Sequence, residues 1–128
     1  MIPHDEPESL NAALRTVDHL EESLLSGLML THHGYSVELR FEHLRRGKPV
    51  PETAQVTIVM EAVETLHLTG GLSQTMLEHP ERINWGLSEV AQVTAYPAAA
   101  GVGFLVAWEG EREIRVEAAR ARFRASPT

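Results

Sequence analysis

The 128-residue chain has the size of one domain, with room for one hydrophobic core and not for two. Its 43% hydrophobic and 23% charged residues are globular proportions, and the absence of cysteine excludes disulfides and thiolate metal sites. A net charge of −7 argues against nucleic acid as a direct ligand, because neutralising phosphates requires clustered Lys and Arg.

No apolar run approaches the roughly 20 residues needed to cross a bilayer, so no membrane span is expected. The opening, MIPHDEPES, lacks the basic start and apolar stretch of a signal peptide, and a cytoplasmic location is expected. The acidity is uneven. Residues 1–64 carry eleven acids and five bases, residues 65–128 seven acids and six arginines.

Pro7 suits a first helical turn, Glu6 and Glu8 suit the positive end of the helix dipole, and Leu10, Ala13, Leu14 and Val17 share one face. These residues predict a helix over 7–17 that caps a β-rich body spanning 18–124. Beyond it the period changes to two. Leu24–Thr31 reads as a strand with apolar residues on both faces. Ser36–Leu44 is the clearest strand, with Val37, Leu39 and Phe41 alternating with Glu38, Arg40 and Glu42.

Arg45–Pro51, with two prolines and a glycine, reads as a loop. Gln55–Met60 is a strand that continues through Ala62 and Val63 to Glu64–Thr69, as a separate strand or as the far end of the same ribbon. Gly70-Gly71 is a break, Ser73 can cap a short helix over 74–78, and 81–87 is irregular. Val90–Tyr96 and Val102–Glu109 are further strands, with Trp108 expected in the core. Glu113–Arg124 changes parity, from Ile114, Val116 and Ala118 to Ala119, Ala121 and Phe123. A bulge near Ala118 accounts for this, and a terminal helix is the alternative.

The expected fold is a single α+β domain over residues 1–128. It is mainly an antiparallel β-sheet or sandwich of about six to seven strands, with one or two short helices.

The stretch LTHHGYSVELRFEH, Leu30–His43, tests for chemistry. A metal site needs several imidazoles or carboxylates converging on one point. Consecutive strand residues such as His32 and His33 point to opposite faces, and His43 lies most of a strand length away. The stretch therefore reads as a hairpin, with Gly34 supplying the left-handed residue of its turn. Asp18 and His19 are sequence neighbours that do not face each other, His67 lies opposite Leu66 and Leu68, and His79 precedes Pro80. No Gly-x-Ser-x-Gly elbow or phosphate-binding glycine fingerprint occurs. No catalytic residue, metal ligand or cofactor is assigned.

QVTIVMEAVETLHLTG, Gln55–Gly70, resembles the corresponding ribbon of small bacterial immunity proteins that neutralise polymorphic toxins. His19, the hairpin at Thr31–Tyr35, Val63, Leu66, Leu68 and Ile83 fill places in that pattern. Met60 stands where the family carries an aromatic residue and Ala62 where it carries glycine. The resemblance implies a binder and not an enzyme, and immunity-type inhibitors present acidic surfaces to basic toxins. The candidate partner-binding residues are Asp18, Glu21, Glu22, Glu38 and Glu42, along the Leu24–Leu44 hairpin and its approach, together with Trp85. Trp85 reads either as a loop anchor for a partner or as core. A protein partner is expected, with the chain a monomer or homodimer. The alternatives are a small metal-binding protein or hydrolase using His32, His33, His43 or His67 with nearby glutamates, and a structural protein that self-associates.

Overall fold

A computed structural model describes residues 2–70, 78, 89–110 and 112–127. The expected helix over 74–78, apart from Glu78, and the readings of Ser73, His79, Ile83 and Trp85 lie outside the described residues.

The elements in chain order are β1 (Ile2–His4), α1 (Pro7–Arg15), a left-handed turn (Asp18–Leu20), β2 (Leu24–Thr31), β3 (Ser36–Glu42), the two-residue strands β4 (Leu44–Arg45) and β5 (Lys48–Pro49), β6 (Gln55–Thr69), β7 (Gln92–Ala98), β8 (Gly101–Ala107) and β9 (Glu113–Ser126). The fold is α+β and mainly antiparallel, as expected from the sequence. The main sheet has seven strands in the order β2-β3-β6-β9-β8-β7, with β1 also pairing β9. The loop expected over 45–51 contains the separate β4–β5 ribbon, because Gly47, at φ 78°, turns the chain back on itself.

Gln55–Thr69 is one fifteen-residue strand and not two. It holds together because β9 pairs along its whole length, from Gln55↔Ser126 to Thr69↔Glu113. The parity change expected near Ala118 is real, and β9 is a strand throughout. Buried residues shift from Ile114, Val116 and Ala118 to Ala121. The register slips on the facing strand, between Val63 and Thr65, where β6 carries an extra residue opposite Ala118. Ala62, just before the slip, has φ 55°, a left-handed conformation rare for a residue with a Cβ.

The sheet is a single curved layer, not a sandwich. Its two terminal strands approach each other at one corner. There the Glu22 N–H donates to the Val90 carbonyl and the Val90 N–H to the Ser23 carbonyl, both at 2.8 Å. The inner face gathers Val37, Leu39, Phe41, Val56, Ile58, Met60, Val102, Phe104, Val106, Ile114 and Val116, and α1 supplies Leu10 and Leu14. Trp108 is buried with them, as its strand pattern required. The helix forms because Pro7 and Glu8 suit its first turn and Arg15 its last, while Leu10 and Leu14 lie one turn apart on the inward face.

α1 also shields one edge of the sheet. Asn11 Nδ2 donates to the Ala95 carbonyl at 3.0 Å, and the Ala95 N–H donates to Asn11 Oδ1 at 2.8 Å. His19 Nδ1 lies 3.1 Å from the Val93 carbonyl. Two side chains thus occupy backbone groups of β7 that would otherwise offer a pairing edge.

Candidate functional site

The histidines do not converge. His32 and His33 form the β2–β3 turn with φ of 51° and 58°, so left-handed backbone falls on two residues that carry a Cβ. His32 Nδ1 lies 3.3 Å from both Thr31 Oγ1 and Ser36 Oγ, which lets the imidazole bracket the turn with polar contacts. His67 is exposed on β6 opposite Arg115. Among the described residues, no three His, Asp or Glu side chains are grouped so as to hold a metal ion.

His43 is different. It has 0% exposure, the chain entering and leaving it through a backbone bond to the Ala54 carbonyl and another from Val50. Its Nε2 donates to Asp18 Oδ2 at 3.1 Å, and its Nδ1 is 2.7 Å from Thr53 Oγ1. Asp18 Oδ2 also accepts from Arg45, at 2.8 Å from Nη2 and 3.1 Å from Nε. The Arg45 guanidinium, and after it His43, hold the Asp18 carboxyl below the usual carboxylate range.

Threonine, histidine and aspartate are the residue types of a nucleophile–base relay. Here the imidazole is sealed from solvent, and the carboxylate that would support it is shared with an arginine. The arrangement fastens three segments together: the turn after α1, the end of β3, and the short helical turn Pro51–Thr53. The sequence placed Asp18 on a partner surface and gave no signal for Thr53 or Arg45, because their meeting depends on tertiary folding.

The other candidate acids are distributed over separate depressions. Glu38 is held by Arg40 at 2.8 Å. It lines a shallow recess with Ser26, Gly27, Leu28, Met29 and Gln55. Glu42 is exposed beside Leu44, Pro49 and Ala54. Glu21 and Glu22 line a larger cleft of about 690 Å³ at the corner where the sheet ends meet, and Glu89 and Glu109 line it too. Its floor includes Val90 and Trp108, with the Arg112 guanidinium 4.5 Å from the Trp108 ring centroid. Four carboxylates and one guanidinium therefore share one concavity. Glu89 carried no sequence signal, and Glu109 read only as one of the turn carboxylates Glu109, Glu111 and Glu113, since neither is near Glu21 in the chain. The hydrogen bonds between residues 22–23 and Val90 bring them together.

A second electrostatic group lies on the outer face. Glu61 accepts from Arg122 at 2.6 Å and from Arg120 at 3.2 Å, and chiefly the Arg122 bond holds its carboxyl below the usual range. Nearby, the Tyr96 ring lies across Gly103, its cross-strand partner, and its hydroxyl donates to Glu117 at 3.0 Å. Burial, and then the Glu117 contact, push the Tyr96 phenol up from its usual value.

No protein-family model matches the chain, and no curated protein matches it. Among solved structures, the crystal structure of an uncharacterized protein from Neisseria gonorrhoeae is similar. The TM-score is 0.54 and the identity 13%, over 80% of this chain and 90% of that one. A likeness at that identity is one of fold. No helix among the described residues is long and apolar enough to cross a membrane.

Proposed function

We propose that the chain is a non-enzymatic protein-binding domain, of the kind that sequesters a basic partner such as a cognate toxin. The observation that carries this reading is the cleft lined by Glu21, Glu22, Glu89 and Glu109 around Trp108 and Arg112. Like charges gathered in one concavity repel one another, and a basic partner relieves that cost while being steered toward it. Trp108, 4% exposed and stacked against Arg112, shapes the floor, while the carboxylates above it are the groups a partner meets.

Ala62 is one of the two places where the chain departs from the immunity-protein pattern. That position, where the family pattern has glycine, adopts the left-handed conformation that glycine takes without steric cost. Asp18 and Glu38 are already paired with arginines, and Glu42 lies outside the cleft, so Glu21 and Glu22 carry the binding role among the acids expected from the sequence.

The test is capture of partners from the source organism's lysate at low and high salt, followed by binding of the purified pair. One stoichiometric basic protein is expected, released by salt. Glu21→Lys with Glu22→Lys is expected to weaken binding at least tenfold, whereas Glu38→Lys changes it little. A partner whose affinity ignores both salt and the Glu21/Glu22 reversal would refute the reading.

A further inference from the structure

Taking the acidic cleft as the site of a basic partner, we propose that the β4–β5 ribbon is a second contact arm, which takes an acidic segment of that same partner. Residues 1–64 carry five bases, and three of them, Arg45, Arg46 and Lys48, fall within four positions. No acid lies between Glu42 and Glu52. The ribbon forms a two-stranded sheet of its own, with strands of two residues each. So short a hairpin is at best marginal by itself.

Its residues make it less stable still. Arg45 and Lys48 are cross-strand partners, and like charges placed opposite one another destabilise a pair. Arg46 has φ 55°, a left-handed backbone that costs a residue with a Cβ. Asparagine or aspartate ahead of Gly47 would suit this turn better. Stability alone therefore does not account for the arginine and the lysine at the tip.

The fold nonetheless fastens the ribbon at its base. The Leu44 N–H donates to Ser23 Oγ at 3.1 Å, and the Val50 N–H donates to the His43 carbonyl at 3.1 Å. Asp18 takes up Arg45 at 2.8 Å, which relieves the opposition between Arg45 and Lys48. Arg46 and Lys48 are exposed. They line a recess of about 460 Å³, to which Val50 and Pro51 give an apolar wall and Glu52 a carboxylate. An anchored arm that presents cations against a local cost in stability is placed for contact.

The charges select the occupant. A net charge of −7 repels a polyanion at long range, and Glu52 repels it at the recess, so nucleic acid and polyphosphate do not fit. A carboxylate-bearing segment does fit when basic residues accompany it, and the place for those lies beside the arm. Ser23 joins the two. Its Oγ receives the Leu44 N–H, its carbonyl receives the Val90 N–H at 2.8 Å, and Glu22 and Val90 line the cleft. The complement of this surface is a partner with basic and acidic segments side by side, and the paired signs fix the orientation in which it docks.

Two labelled synthetic peptides test this by fluorescence anisotropy at low salt. One has a lysine block joined by a Gly-Ser spacer to a glutamate block, and the other carries serines in place of the glutamates. Arg46→Glu with Lys48→Glu is expected to weaken binding of the lysine–glutamate peptide at least about fivefold. The lysine–serine peptide is expected to bind as tightly or more tightly, because the reversal makes the chain more acidic. Arg46→Gln with Lys48→Gln is expected to separate the peptides in the same direction, by less. Both positions are exposed and Arg45 is untouched, so thermal unfolding is expected to stay within about 2 °C of wild type.

Weakening of both peptides alike, tightening of both, or no change in either would overturn the proposal, as would a wild type that binds neither. Glu21→Lys with Glu22→Lys decides the cleft separately, since it weakens both peptides if the cleft takes the lysine block. If it changes neither while the arm reversal still separates them, the cleft reading falls and the acidic contact at the arm stands. If it weakens both while the arm reversal does not separate them, the arm falls and the cleft stands.

Discussion

Replacing His43 by leucine is the sharpest test of the reading that the Asp18–His43–Thr53 group is a fastening and not a catalytic relay. Leucine keeps apolar bulk in a site of 0% exposure, so the loss reports the polar contacts. The bond from Nε2 to Asp18 Oδ2, at 3.1 Å, involves a carboxylate, and such bonds contribute about 1.5–3 kcal/mol. Asp18 keeps Arg45 and is 45% exposed, which discounts that figure toward its lower end. Thr53 loses its 2.7 Å partner, which costs about 1 kcal/mol in a partly buried position.

The sum is about 2–4 kcal/mol, or a fall in Tm of roughly 8–15 °C for a chain of this size. Thermal denaturation followed by circular dichroism measures it. A double-mutant cycle with Asp18→Ala is expected to show coupling of about 1–2 kcal/mol. A Tm unchanged or raised by His43→Leu would refute the reasoning, since catalytic groups are the ones whose removal commonly leaves stability intact or improves it.

Ala62→Gly is expected to stabilise the protein by about 0.5–1 kcal/mol in urea unfolding, because glycine relieves the left-handed strain at φ 55°. Gly103→Ala is expected to destabilise by about 1–3 kcal/mol, since the new Cβ would lie 2.3 Å from the Tyr96 ring. In a Tyr96→Ala background most of that penalty should vanish, which separates the steric cause from loss of glycine flexibility. The acid limb of stability follows from Asp18 and Glu61, whose folded carboxyls lie below their unfolded values of 3.8 and 4.5. Their contribution is complete above those unfolded values and is lost as pH falls through the lower folded ones. Asp18→Asn and Glu61→Gln are expected to flatten the acid branch of Tm against pH, leaving the profile from pH 6 to 8 unchanged in shape. At the alkaline end the raised Tyr96 phenol acts oppositely, its contribution complete below its unfolded value of 10.0 and lost above its folded one.

The longer strands were legible in the alternation of the chain, whereas the short β1, β4 and β5 were not. Alternation of Val37, Leu39 and Phe41 with Glu38, Arg40 and Glu42 encodes a surface with one wet and one dry face, and the parity change around Ala118 encodes a slip in register. These are local signals, read within a few residues, because side-chain direction along a strand depends only on parity. The helix was equally legible from Pro7, Leu10 and Leu14.

The roles of the polar residues emerged from contacts between distant segments. Asp18 looked like a surface acid until Arg45 and His43, 27 and 25 residues on, closed around it. Glu89 and Glu109 acquired meaning when the sheet curled and its end strands met at Val90. Asn11 carried no sequence signal and His19 only its place in the family pattern, yet both bond backbone groups of β7 at one edge of the sheet. Carboxylates, imidazoles and amides act through partners within about 3 Å, and here those partners are distant in the chain, so strand order and sheet curvature must be known before their roles can be read.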